Sequence, residues 1–206
     1  MLPRFDRLLA HTHHFLTLDG CTIAIYPGVF SPDPALTHST EIILRHLPPV
    51  EGLTIADVGC GTGLIAILCA QRNAKHVIAT DISEAALANT QENIARSHLE
   101  AKITIRKSSL LQDVSERFDL IIANLPIDPA IWQTGSVTPI ELLAELLATA
   151  PSHLTSTGMI YVPWGSFREI APVRALLQAS VFRVEEIQEE ALGYTWTLFI
   201  LTRRSP

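Results

Sequence analysis

The chain reads as an α/β protein built on a mostly parallel sheet, and three observations carry that reading. Strand-like and helix-like runs alternate from about residue 40 onward. No low-complexity linker or internal repeat interrupts them. The run 53–63 joins a buried strand directly to a glycine-rich turn that opens a helix. With 206 residues, 48% hydrophobic and 17% charged, the chain has material for one full core, which excludes a disordered protein and leaves no room for a second catalytic domain.

The elements follow in order. Residues 15–18 and 21–26 are apolar runs flanking Asp19-Gly20, a dipeptide suited to a tight turn, and predict a hairpin. His11, His13 and His14 lack the nearby Cys or acidic cluster that would complete a metal set and read as a solvated helix end. Ser39 is placed to cap a helix over 41–47. Residues 53–58 form the first core strand and 64–70 a packed helix; 76–80 is a second strand ending in Asp81. Ser83 caps a helix to about Ser97, with Glu84 in its first turn. Residues 102–107 alternate as a half-buried strand, and 118–123 form a fully buried one. Pro139 opens a helix through Leu142, Leu143, Leu146 and Leu147. A fifth strand over 158–162 and a helix over 168–178, interrupted early by Pro172, complete the parallel part. The runs 182–187 and 195–202, joined through Gly193, are too close for a helical crossover and pair antiparallel.

The chemistry concentrates at strand ends. Gly59, Gly61 and Gly63 sit at a strand-to-helix turn, where the backbone permits close approach of a ligand and the helix start favours an anionic group. A dinucleotide fingerprint would require glycine at position 64, which is Leu64, so a pyrophosphate is the weaker reading of a nucleotide-like ligand. Asp81 ends the second strand about 20 residues on, where a carboxylate accepts both ribose hydroxyls in nucleotide-binding α/β folds. Asn124 ends the fourth strand, beside the same ligand region. Its side-chain oxygen and the Leu125 carbonyl are acceptors able to grip the N–H bonds of an amide-type nitrogen, with Pro126 holding Leu125 extended.

Charge and cysteine usage narrow the partners. The net charge of −6 gives no general attraction to phosphate backbones, and basic residues cluster only at Arg106-Lys107 and Arg203-Arg204. Cys21, Cys60 and Cys69 form no C-x-x-C pair or disulfide framework, and the first residues lack the apolar core of a signal peptide, so a reducing cytoplasm is expected. No apolar stretch approaches the roughly 20 residues that cross a bilayer.

The pattern Asp57-x-Gly59-x-Gly61-x-Gly63 resembles motif I of the class I S-adenosylmethionine (SAM) methyltransferases. The resemblance implies SAM as cofactor and no metal. Gly59, Cys60, Gly61 and Gly63 would pack on its methionine part, Asp57 would lie near its ammonium, and Asp81 with Ile82 beside it would hold the ribose. Ser109 stands where related enzymes keep an acid near the adenine, implying a weaker hydrogen bond with Leu110 packed on the ring. The segment from Pro27-Gly28-Val29-Phe30 to Ser39-Thr40 resembles that of the small-domain methyltransferases acting on ribosomal RNA guanine amines and of the release-factor glutamine methyltransferases. Phe30 and Thr40 would then close over the cofactor.

Asn124-Leu125-Pro126-Ile127 is similar in part to the Asn-Pro-Pro-Tyr motif of amino methyltransferases, with Leu125 in place of the first proline and Ile127 in place of the aromatic. The stretch 119–124 also looks like that of the ribosomal-protein L11 methyltransferases. Trp132 either supplies the missing aromatic or is a packing anchor beside Ile131, Asp128 is either a proton acceptor for the amine or an ordinary loop residue, and Trp164 either lines the substrate mouth or packs. The implied fold is a Rossmann-like seven-stranded sheet in the order 3-2-1-4-5-7-6, with one antiparallel strand near its edge. Residues 1–38 are then an N-terminal extension covering the cofactor and substrate side, and 39–206 the SAM-binding domain. The implied function is N-methylation of a planar amide or exocyclic amine in a protein or RNA. A small-metabolite methyltransferase and a non-catalytic SAM-binding partner subunit remain as alternatives.

Overall fold

Alternation along the core strands decides which helix covers which face. The computed structural model describes residues 8–9, 11–126 and 137–204. Ile127, Asp128 and Trp132 lie outside the described residues. The element order is β1 (His14–Leu18), β2 (Cys21–Ile25), α1 (Ser39–Arg45), β3 (Thr54–Val58), α2 (Leu64–Gln71), β4 (His76–Asp81) and α3 (Glu84–Arg96). It continues with β5 (Ile103–Lys107), β6 (Phe118–Ala123), α4 (Pro139–His153), β7 (Leu154–Gly165), α5 (Ala171–Ala179), β8 (Phe182–Ala191) and β9 (Tyr194–Arg203). Seven strands form one sheet in the order β5-β4-β3-β6-β7-β9-β8, which counted from β3 is 3-2-1-4-5-7-6. The β3–β4, β3–β6, β4–β5 and β6–β7 pairs are parallel, and β9 runs antiparallel to both β7 and β8.

Ile55, Leu120 and Ile122 face one core, shared with α1, α2, Ile94 of α3 and the hairpin residues Ile23 and Ile25. Ala56, Val58, Ile121 and Ala123 face the other, filled by Leu143, Leu146 and Leu147 of α4 and Val173 and Leu177 of α5. Asp119, at the start of β6, accepts from the Thr54 N–H at 2.9 Å and the Thr155 hydroxyl at 3.0 Å, anchoring the end of the sheet opposite the ligand site.

The hairpin is fastened to α3 by two buried amides. Asn93 Oδ1 accepts from the Ala24 N–H at 2.7 Å, and Asn89 and Asn93 both donate to the Ala24 carbonyl at 2.8 Å. These side chains satisfy backbone groups of β2 that β1 does not pair, as a buried segment requires.

Several sequence expectations shift. His38, not Ser39, caps α1; Ser39 is already helical, and the helix ends at Arg45 ahead of Pro48-Pro49. Pro172 opens α5 within its first turn rather than interrupting it, a position where the missing N–H costs nothing. The strands β7 and β8 outrun the expected 158–162 and 182–187: antiparallel pairing with β9 carries β7 on to Gly165 and β8 on to Ala191, while β7 begins at Leu154 opposite Phe118 of β6. His14 opens β1, paired with Ile25, so the histidines mark a strand start instead of a helix end. The His13 ring rests edge-on against Phe15 with centroids 5.2 Å apart.

Candidate active site

The cofactor end of the site grows from the carboxyl ends of β3 and β4. The N–H groups of Gly59 and Cys60 both donate to the Thr80 carbonyl, at 2.8 and 2.9 Å, which pins the turn onto β4. Gly61 then turns its N–H to Asp81 Oδ2 at 3.0 Å, while the other oxygen of Asp81 accepts from the Ser83 N–H at 2.9 Å. From the far side, Thr90 donates to the Gly61 carbonyl at 3.0 Å and Asn93 to the Thr62 carbonyl at 2.9 Å. Gly63 cannot be replaced freely: its φ is +76°, and a Cβ there would meet the Thr90 methyl at 2.8 Å.

Asp57 lies beneath this turn, 1% exposed, and accepts from the Ala66 N–H of α2 at 3.1 Å. Burial, opposed by that hydrogen bond and reinforced by the charge of Asp81, pushes its carboxyl up to about 7. Asp81 is also raised, by burial against the opposing N–H donors of Ser83 and Gly61. Burial, with the charges of Asp57 and Asp81, raises the Cys60 thiol as well, which favours its neutral form on the cavity wall. The described residues leave its Sγ near Thr90 Oγ1, at 3.3 Å.

A cavity of about 640 Å³ opens above the turn and brings together every cofactor residue named from the sequence: Phe30, Thr40, Asp57, Gly59, Cys60, Gly61, Asp81, Ile82, Ser109, Leu110 and Asn124, with Gly63 the exception. Gly63 acts one step back, as the Ncap residue of α2. Leu125 and Pro126 also line the cavity. Ile82, 69% exposed by itself, forms an apolar ledge next to Asp81. Leu110 is held at a φ of +50° with its carbonyl accepting from the Thr80 hydroxyl at 2.9 Å. Phe30 bridges antiparallel to Leu9, and its Cβ is 3.9 Å from where a Gly61 side chain would start, so the N-terminal segment crosses over the glycine turn.

Sequence reasoning missed part of the wall. Leu8, Phe167 and Trp196 line the cavity from distant parts of the chain. Trp164 packs instead: it is 5% exposed within the core beside α4 and α5, and its indole N–H points to the Arg168 carbonyl at 3.4 Å. Among the described residues, no group of three or more His, Cys, Asp or Glu side chains is arranged to hold a metal. All three cysteines are buried and free.

The family model for the methyltransferase small domain matches residues 20–195. The chain belongs to the methyltransferase small domain family. As one of its members it has S-adenosylmethionine as cofactor, and the cavity fits that group: a buried acid under the turn, a second acid at the end of β4, and an apolar ledge between Ile82 and Leu110. It is 29% identical over 187 residues to the ribosomal protein L11 methyltransferase of Lactobacillus johnsonii, covering 90% of this chain and 54% of that protein. It is 31% identical over 151 residues to the ribosomal RNA small subunit methyltransferase C of Erwinia tasmaniensis, covering 73% of this chain and 42% of that protein. The chain thus spans about half the length of the first of these curated relatives, and less of the second.

Among solved structures, the small-domain chain resembles the ribosomal protein L11 methylase of Lactobacillus delbrueckii subsp. bulgaricus with a TM-score of 0.67 at 28% identity, covering 88% of this chain and 84% of that one. The T. thermophilus 16S rRNA N2 G1207 methyltransferase, in complex with AdoMet and guanosine, shares the fold with a TM-score of 0.69 at 21% identity, covering 93% of this chain and 50% of that one. No helix among the described residues is long and apolar enough to cross a membrane.

Proposed function

We propose that this protein methylates an amide-type or exocyclic amine nitrogen of a protein or RNA substrate. The observation that carries the reading is the placement of Asn124. It leaves the end of β6 half-buried, on the wall of the cofactor cavity, and its Nδ2 donates to Thr40 Oγ1 at 3.4 Å. That orientation makes Oδ1 the acceptor the amide offers to a substrate N–H. The Leu125 side chain stands 3.7 Å from where a Gly59 Cβ would be, so the Asn-Leu-Pro step and the glycine turn are neighbours.

Bound SAM supplies an electrophilic sulfonium methyl for in-line transfer to the acceptor. The chain's own share is positional. Two acceptors gripping the N–H bonds of a planar nitrogen turn its lone pair toward the methyl, and a well-placed pair of reactants needs little general-base assistance. Of the N-terminal extension, the described residues Leu8, Leu9 and Phe30 act as a cover that shields the site from water. The names of the protein-directed and RNA-directed relatives support these two acceptor classes.

The test uses SAM labelled in the methyl group and separate protein and RNA fractions. Asn124→Ala should keep affinity for the demethylated cofactor, S-adenosylhomocysteine (SAH), within a few fold while cutting methyl transfer about 100-fold, because the lost contact matters mainly as the amine is aligned. Undiminished transfer by Asn124→Ala would refute the role of this motif.

A further inference from the structure

Glu189 is on β8, at the far end of the sheet order from the second acid of the cofactor site, yet it fastens one helix of that site from three directions. Its Oε2 accepts from His38 Nε2 at 2.6 Å and from Arg45 at 3.1 Å, and its Oε1 accepts from His46 Nε2 at 2.8 Å. The three donors are the N-cap, the last residue and the C-cap of α1. His38 Nδ1 in turn meets Glu41 Oε2 at 3.0 Å. The His38 ring thus bridges two carboxylates, Glu189 through Nε2 and Glu41 through Nδ1. Burial would raise the Glu189 carboxyl, but the hydrogen bonds from His38 and His46 and the charge of Arg45 outweigh it and hold it below the usual carboxylate range.

This is not a surface ion pair of negligible effect. The His38 side chain is 5% exposed and that of Glu189 19%, so removing one partner leaves a polar atom of the other poorly solvated. The neighbouring elements add to the same grip. Tyr161 of β7 donates to the His46 carbonyl at 3.0 Å. Trp196, directly opposite Glu189 on β9, sets its ring edge-on to His38 with centroids 6.2 Å apart and also lines the cofactor cavity. The first two residues of α1 are Ser39 and Thr40, both on the cavity wall.

We propose that Glu189 is a positioning residue for methyl transfer: by fixing α1 through His38 and His46 it places Thr40, and Thr40 sets the rotation of the Asn124 amide. The inference rests on the reading of Asn124 as the group that aligns the acceptor. The Thr40 to Asn124 bond, at 3.4 Å, is at the long limit for a hydrogen bond, so the amide depends on where the helix puts Thr40. A small displacement of α1 releases it, and misplacements of about an ångström cost up to about 100-fold in rate.

The experiment compares Glu189→Gln with Arg45→Ala, whose side chain is 58% exposed. Glutamine keeps one accepting oxygen and puts an NH₂ group in place of the other, so one of the two histidine ring contacts is lost with little change of volume. The first readout is the side-chain amide signal of Asn124 in a proton–nitrogen correlation spectrum without ligand, assigned by its absence in Asn124→Ala. The others are SAH affinity, methyl transfer and melting temperature. In Glu189→Gln the Asn124 signal should move and methyl transfer fall at least tenfold. SAH affinity should change no more than about threefold, since Asp57, the glycine turn and Asp81 are untouched. Arg45→Ala should leave the signal in place. A wild-type Asn124 signal in Glu189→Gln, with only the melting temperature lowered, would overturn the proposal and leave the clamp a purely structural device. An equal displacement in Arg45→Ala would overturn it too. Should Glu189→Gln not fold, His46→Gln removes the partner of Oε1 alone and is read the same way. A wild-type protein that binds no SAH refutes the methyl-transfer reading instead, while the ligand-free amide signal still decides whether Glu189 places Asn124.

Discussion

Lowering the pH should weaken cofactor binding through one buried acid. Asp57 is 1% exposed, has the Ala66 N–H as a hydrogen-bond donor at 3.1 Å, and its carboxyl is pushed up to about 7. In the free protein below that pH it holds a proton, whereas the cofactor ammonium that we propose to lie beside it requires the carboxylate. Binding then includes the release of that proton, at a cost of RT ln(1 + 10^(pKa − pH)): about 1.4 kcal/mol near pH 6 and almost nothing near pH 8. The affinity for SAH should therefore fall about tenfold from pH 8 to pH 6. Isothermal titration calorimetry in buffers of different ionisation enthalpy reads both the affinity and the released proton. Asp81, raised in the same direction, adds to the slope, so Asp57→Asn should flatten the profile without abolishing it. The reasoning would be refuted by an unchanged slope in Asp57→Asn or by a flat profile in the wild type. The same shift has a stability consequence of defined sign. A folded-state carboxyl raised from 3.8 to about 7 contributes stability that is full below about pH 4 and lost as the pH rises to 7, on the order of 4 kcal/mol. Asp57→Asn should accordingly raise the melting temperature at pH 8 more than at pH 5.

Other perturbations separate the cradle from its supports. Gly63→Ala forces a φ of +76° on a residue with a Cβ and drives that atom to 2.8 Å from the Thr90 methyl, so urea unfolding should show a loss of roughly 2 to 4 kcal/mol, partly recovered in the double variant with Thr90→Ser. Asn93→Ala removes bonds to the Ala24 N–H, the Ala24 carbonyl and the Thr62 carbonyl together, and should lower stability by about 2 to 3 kcal/mol, a fall of roughly 5 to 10 °C in a thermal melt. If Asp81 is the ribose acceptor we propose, Asp81→Ala should weaken SAH binding by roughly 2 to 4 kcal/mol in calorimetry, through loss of that contact and the unpaired Gly61 N–H. Titration of RNA in the presence of SAH should show a shallow salt dependence, given a net charge of −6; a slope equal to about five or more phosphate contacts would make nucleic acid the leading acceptor.

What was legible in the sequence follows from how locally each part is made. Residues 57–63 are consecutive, Asp81 is the last residue of β4 and Asn124 follows the last residue of β6, so strand periodicity and glycine spacing were enough to place them. The antiparallel hairpin at the end of the sheet was readable from the short connection through Gly193. Glu189 was not, because nothing in a run of charged residues on an edge strand distinguishes the one that reaches α1 about 150 residues away. Trp196 and Phe167 were hidden for the same reason, as apolar residues in strand and loop positions where core packing is the common use. Asn89 and Asn93 did leave a trace: two amides four residues apart on the buried face of α3 call for partners, and β2 supplies them.

The division between readable and hidden residues coincides with a division of labour in the site. The cavity residues around the glycine turn are anchored to β4: Gly59 and Cys60 on the Thr80 carbonyl, Gly61 on the Asp81 carboxylate and Leu110 on the Thr80 hydroxyl. The acceptor side has no such frame. Thr40 and Trp196 reach the cavity from α1 and β9; α1 is tied to β8, the strand beside β9, through Glu189, and the His38 ring lies edge-on to Trp196. A site held by tertiary contacts can be re-aimed by changing a few distant residues while the cofactor half stays fixed. The variation that selects an acceptor in this fold is therefore expected along α1, the segment after Asn124 and the β8–β9 hairpin, and not in the glycine turn.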